Sequence, residues 1–157
     1  MNVMKNSVTL ALTGASGAQY GLRLLQILTR HNIQVHCLLS DAARVVIATE
    51  VCVDFPATVS AGESRERTAE FLATRFGIDT DHLDLPHPRD WFSCVASGSS
   101  APRKMVVCPC SMGSLAAIAH GMSANVIERA AAVVLKDCGK LVLVPREGGM
   151  EMARDVA

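Results

Sequence analysis

The chain has 157 residues, half of them hydrophobic, which suits one compact α/β domain with a sizeable core and leaves no room for a second. Fifteen Lys plus Arg balance fifteen Asp plus Glu, so there is no general electrostatic pull toward nucleic acid or an anionic membrane. Residues 1–7 lack the long apolar run and small-residue cleavage site of a signal peptide, and no stretch reads as a transmembrane helix. Sparse aromatics with abundant Ala, Val, Leu and Met fit a subunit that covers apolar surface with copies of itself. Six cysteines lie mostly in apolar runs without paired C-x-x-C spacing, which predicts reduced, buried thiols and a cytoplasmic setting. Cys108 and Cys110, separated by Pro109, read as packing residues and not as a metal or redox pair.

In chain order, residues 8–13 form an uninterrupted apolar and β-branched run, the pattern of a strand buried on both faces of a parallel sheet. A helix follows after a small-residue turn, with Leu22, Leu24, Leu25 and Leu28 as its apolar stripe and Arg23, Gln26 and Arg30 on the other face. Gly14 and Gly17 permit a tight turn and let an anion approach the free N–H groups at the helix start, and Ser16 adds a hydroxyl. The spacing matches neither the dinucleotide fingerprint nor a P-loop, and such a turn also occurs merely to connect strand and helix.

A second strand reads as Gln34–Leu39, followed by Ser40 or Asp41 as cap of a helix over 42–50. Residues 51–102 are irregular around one predicted helix, Glu63–Phe76, and the loop beyond it carries Trp91, Phe92 and the small residues 97–100. A third strand at 104–108 leads through Pro109, Cys110 and Ser111 into a helix over 112–120. A further helix over 124–136, capped by Ser123, precedes a fourth strand at 141–144. Three strand ends are thus followed by a serine, and Ser16, Ser40 and Ser111 converge on one crevice if the strands are neighbours.

Taken together, these motifs resemble the UbiX family of flavin prenyltransferases, within the homo-oligomeric flavin-containing cysteine decarboxylase group. The marks are Thr13 through Ala18 with Tyr20 and Gly21, Leu39 and Ser40 leading to Ala42, Ala43 and Arg44, and Glu50 closing that helix. Ala96 through Ser99, Cys108 through Ser111, Ile127 through Ala131, Leu135 with Lys136, and Leu141 through Glu147 complete the pattern. The resemblance implies a three-layer α/β/α sandwich with a flavodoxin-like or Rossmann-like parallel sheet, forming one FMN-binding domain over 1–157. It also implies transfer of a dimethylallyl group from dimethylallyl phosphate to N5 and C6 of reduced FMN, with no metal. The product would serve a UbiD-type decarboxylase, in ubiquinone biosynthesis or aromatic-acid metabolism.

By the same resemblance, Gly14, Ala15, Ser16, Ser40, Ser111, Met112, Gly113, Ser114 and Arg146 line the FMN site, with Ser114 where the family usually has Thr. Ser16, Glu50, Arg129, Lys136 and Glu147 form the reacting centre, partly across subunit boundaries in a dodecamer. Ionising an allylic phosphate calls for cations, here Arg129, Lys136 and Arg146, and for a proton-transferring carboxylate such as Glu147 or Glu50. Trp91 reads either as an aromatic wall beside the allyl cation or as packing. Without the resemblance, Arg129 and Lys136 would read as a solvated helix face and Arg146 with Glu147 as an exposed ion pair. Residues 148–157 depart from the family pattern, and a later Tyr and Arg or Lys that help hold the prenyl phosphate find no counterpart, so the resemblance is to a C-terminally shortened member. Two alternatives follow: FMN binding without prenyl transfer, and a phosphopantothenoylcysteine decarboxylase-like flavoprotein, to which residues 122–125 are faintly similar.

Overall fold

The computed structural model describes residues 6–51, 54–56 and 63–146. Five parallel strands, β1 (Ser7–Leu12), β2 (Gln34–Leu39), β3 (Leu83–Asp84), β4 (Lys104–Cys110) and β5 (Lys140–Pro145), form one sheet in the order β3-β2-β1-β4-β5. The helices are α1 (Ala18–Arg30), α2 (Asp41–Glu50), α3 (Glu63–Phe76), α4 (Met112–Ala119) and α5 (Val126–Lys136). This is the predicted three-layer, Rossmann-like α/β/α sandwich.

The side-chain alternation of the strands divides the core in two. Leu10, Leu12, Val35, Cys37 and Leu39 face one way and pack with Leu22 and Leu25 of α1, Ile47 of α2 and Leu72 of α3. Ala11, Leu38, Met105 and Val107 face the other way and meet Ile118 of α4 and Val126, Ile127, Ala130, Ala131 and Val134 of α5. Each fully buried Leu, Ile or Val contributes about 1.5–3 kcal/mol relative to exposure, so β1, with Leu10 and Leu12, and β2, with Val35, Leu38 and Leu39, carry most of the aliphatic stabilisation of the sheet. A pairing irregularity between Val107 and Cys110 accompanies a change of side, Cys108 joining the first cluster and Cys110 the second. One close approach requires glycine: a Cβ on Gly21 of α1 would stand 2.3 Å from the Cys108 carbonyl oxygen, so α1 rests directly on β4.

Several elements differ from the sequence reading. β3 was not foreseen, because a strand of two residues on the sheet edge has no periodicity to read. β4 continues through Pro109 to Cys110, the Cys108–Pro109 bond being cis. Helix α5 begins at Val126 and is capped by Asn125, whose side chain accepts from the Glu128 N–H at 2.8 Å; Ser123 lies outside it. Glu128 returns the contact, accepting from the Ala124 N–H at 2.7 Å, a reciprocal cap that replaces the expected serine. The thiols of Cys37, Cys94, Cys108, Cys110 and Cys138 are free, but Cys138 is exposed, at a left-handed backbone position following α5. Cys52, Glu147 and the divergent segment 148–157 lie outside the described residues.

Candidate active site at the switch point of the sheet

Between β1 and β4 the strand order reverses, and in open parallel sheets the crevice beyond the carboxyl ends at such a point is where ligands bind. Residues 13–17 leave β1 there, Ser40 leaves β2, residues 111–114 leave β4 and Arg146 leaves β5. The predicted convergence of Ser16, Ser40 and Ser111 on one edge is therefore what the topology produces.

Thr13 ties this edge together, a role that the sequence reading did not give it. Buried, it donates from both its backbone N–H (3.1 Å) and its Oγ1 (2.8 Å) to the Pro109 carbonyl, and its Oγ1 accepts from the Ser111 N–H at 2.8 Å. The loops after β1 and β4 are thus joined through one hydroxyl. The Ser40 N–H donates to the Leu12 carbonyl at 3.2 Å and the Arg146 N–H to the Cys110 carbonyl at 2.9 Å, which fixes the two outer loops to the same rim.

Ser40 and Ser111 are also helix caps: their Oγ atoms accept from the N–H groups of Ala43 (3.0 Å) and Ser114 (3.1 Å). Ser111 Oγ donates to Ser114 Oγ at 3.0 Å, which joins the two hydroxyls. Met112 is 44% exposed, and a Cβ on Gly113 would meet nothing within 4 Å, so the start of α4 opens to the crevice.

The turn after β1 is built differently from the bare anion nest suggested by its glycines. Gly17 sits at φ 100°, and its N–H donates at 3.0 Å to Oε2 of Glu50, at the end of α2. A carboxylate of the protein itself therefore takes this donor at the start of α1. The Gly17 N–H, the Ser16 hydroxyl and the Ala18 N–H, with the Arg146 charge, hold the Glu50 carboxyl below its ordinary value. Arg146 lies over the Tyr20 ring, its guanidinium carbon 5.0 Å from the centroid, and a Cβ on Gly17 would come within 3.0 Å of its Cδ. Ser16, Gly17, Glu50, Tyr20 and Arg146 thus form one polar corner with an anionic and a cationic end.

Other expected residues stand apart within a single chain. Arg129, exposed on α5, donates its Nε to the Ala96 carbonyl at 3.4 Å. Lys136 ends α5, about 15 Å of helix from Val126, beside the paired starts of β4 and β5 (Lys104 with Lys140), at the sheet edge opposite the crevice. Trp91 is 45% exposed and Phe92 fully so, on the loop before β4.

The polar groups at the rim suit a phosphorylated flavin: the starts of α2 and α4, the Ser114 hydroxyl and the exposed guanidinium of Arg146 provide donors for an anion, and the Ser16 hydroxyl, whose O–H donates to Glu50, offers its oxygen as an acceptor to a polar ring edge. The open space over Gly113 leaves a surface without protruding side-chain atoms.

Comparison with known proteins agrees. The Flavoprotein family model matches residues 1–154. The flavin prenyltransferase UbiX of Pseudomonas aeruginosa is 50% identical over 140 residues, covering 89% of this chain and 64% of the relative. The crystal structure of AnUbiX (PadA1) in complex with FMN and dimethylallyl pyrophosphate superposes with a TM-score of 0.70 at 32% identity, over 92% of this chain and 66% of that one. A dodecameric FMN-dependent UbiX-like decarboxylase from Escherichia coli O157:H7 gives 0.69 at 32% identity, over 96% and 72%. The chain thus spans about two thirds of the length of the curated relatives it matches, 64% and 65% of the first two. With the fold, the serine-capped rim and these likenesses together, the chain belongs to the Flavoprotein family and, within it, to the flavin prenyltransferases of the UbiX type.

Proposed function

We propose that the crevice binds reduced FMN and that the protein transfers a dimethylallyl group from dimethylallyl phosphate to N5 and C6 of that flavin. The observation that carries this reading is the polar corner of Ser16, Glu50 and Arg146 at the switch point, in a chain similar to an enzyme whose structure holds FMN and dimethylallyl pyrophosphate.

Gly14, Ala15, Ser16, Ser40, Met112, Gly113 and the hydroxyl pair Ser111 and Ser114 would hold the cofactor, with Arg146 against its charged or polar edge. When bound, reduced FMN supplies the electron-rich nitrogen and ring carbon that the allyl group joins. Arg146 offsets the negative charge that grows on phosphate as the allylic C–O bond breaks. Glu50, kept anionic by the donors around it, orients the Ser16 hydroxyl, and Glu147 is the carboxylate proposed for proton transfer.

Arg129 and Lys136 are proposed to reach the phosphate from a neighbouring subunit, since Lys136 of the same chain stands at the far edge. This makes the active form a homo-oligomer, and a dodecamer is the form named for the E. coli relative. A UbiD-type decarboxylase is the proposed recipient of the product. No helix among the described residues is long and apolar enough to cross a membrane, and we place the protein in the cytoplasm. The alternatives of a non-transferring flavoprotein or a cysteine decarboxylase are less well supported, because Arg146 stands at the rim and the 50% identical relative is a prenyltransferase.

Anaerobic incubation with reduced FMN and dimethylallyl phosphate, followed by mass spectrometry of the extracted flavin, tests this. A flavin enlarged by one five-carbon unit is expected; unmodified FMN alone would overturn prenyl transfer.

A further inference from the structure

Away from the crevice, three side chains with metal-binding atoms meet at the other edge of the sheet. His36 lies in β2 and Asp84 in β3, paired in register, and Cys94 opens the short 3-10 turn Cys94–Ala96. His36 Nδ1 is 2.8 Å from Asp84 Oδ2 and 3.5 Å from Cys94 Sγ, and the donor atoms of all three lie within 4.8 Å of one another. Arg65 of α3 pairs with the second oxygen of Asp84.

Two chemistries use such a trio. A nucleophilic thiol needs the imidazole between thiol and carboxylate, one ring nitrogen serving each. Here both partners approach Nδ1, while Nε2 stands 4.0 Å from the sulfur and has neither the thiol nor the carboxylate as a hydrogen-bond partner at ordinary nitrogen–oxygen range. Metal binding requires the opposite arrangement, donors converging on one point. At tetrahedral zinc distances, a nitrogen and a sulfur ligand lie about 3.5 Å apart and a nitrogen and an oxygen about 3.3 Å. The first separation is already present, the second needs an opening of about half an ångström, and the thiol, now 4.0 Å from Nε2, must swing outward by about 1 Å to stand beyond Nδ1, a movement within reach of rotation about its Cα–Cβ bond. The His36 and Asp84 side chains keep 16% and 25% of their surface exposed, which gives an ion a path in and leaves room for water as a further ligand.

We propose that His36 Nδ1, Asp84 Oδ2 and Cys94 Sγ bind a divalent transition-metal ion of the zinc class. The thiol proton is released on binding, the dication faces one thiolate and one carboxylate, and Arg65 holds the other carboxylate oxygen as an outer partner of the ligand. The ion would clasp β2, the two-residue edge strand β3 and the turn whose Ala96 carbonyl holds Arg129. Sequence reading could not find this site, because Asp84 and Cys94 lie 48 and 58 residues from His36 and the three belong to separate elements.

The test is anaerobic titration of the chelator-treated full chain with Co2+, followed by absorption. A thiolate-to-cobalt charge-transfer band saturating at one ion per chain and displaced by Zn2+ is expected. The band should vanish in Cys94→Ser, persist in Cys138→Ser, and require at least about ten-fold more Co2+ in His36→Gln. A wild-type protein with no thiolate band overturns the site whatever the variants do, as does an undiminished band in folded Cys94→Ser. The readout involves no flavin, so it is independent of the prenyl-transfer reading.

Discussion

Two residues decide how the crevice is shaped. Thr13→Val keeps the shape of the side chain but removes both hydroxyl bonds, leaving the Ser111 N–H without its partner. The Ser111 N–H is only partly buried, and an ordinary hydrogen bond contributes about 0.5–1.5 kcal/mol net, so urea unfolding should show a loss of about 1–3 kcal/mol for the two bonds, accompanied by weaker FMN binding in a fluorescence titration. Glu50 makes a pH-dependent contribution of known sign. Its folded-state pKa lies below the ordinary 4.5, with Arg146 the facing charge, so its stabilisation is fully present above that value and is lost as pH falls through the folded pKa. The difference in Tm between wild type and Glu50→Gln should therefore be constant at neutral pH and close at acid pH. A gap that widened on acidification would contradict the assignment.

At the scale of elements, the packing of α1 on β4 is the most exposed to test. Gly21→Ala places a methyl 2.3 Å from the Cys108 carbonyl oxygen, and backbone cannot yield cheaply. Overpacking of this kind costs about 1–3 kcal/mol, or about 2–4 °C in Tm per kcal/mol at this chain length, readable by calorimetry. The sequence disclosed most of these elements, for physical reasons. β1, β2 and β4 are apolar runs ending in small or hydroxyl residues, and once the strands are adjacent, Ser16, Ser40 and Ser111 must share an edge. The reading stopped where information is non-local. The two-residue β3 owes its existence to pairing with β2, the start of α5 depends on the Asn125 and Glu128 reciprocal cap, and the Gly17 to Glu50 bond joins residues 33 apart. The motif pattern pointed to Glu50 as a site residue; only the folded chain reveals that it takes the N–H of Gly17.

For the whole molecule, the separation of Lys136 from the crevice is the consequential feature, together with the open side of β5, where Val142 and Val144 are 44% and 37% exposed. If a neighbouring subunit supplies Lys136, Lys136→Ala and Glu50→Gln proteins, each impaired in flavin prenylation, should regain activity when dissociated, mixed and reassembled. A mixture no better than its components would mean that each chain works alone. The location of the flavin itself is most directly tested by a crystal structure of the protein grown with FMN. The account requires the isoalloxazine between residues 14–17 and 111–114, beside Arg146. Flavin density in the cavity of about 470 Å³ lined by Arg44, Arg65 and Arg89, with the crevice vacant, would contradict it.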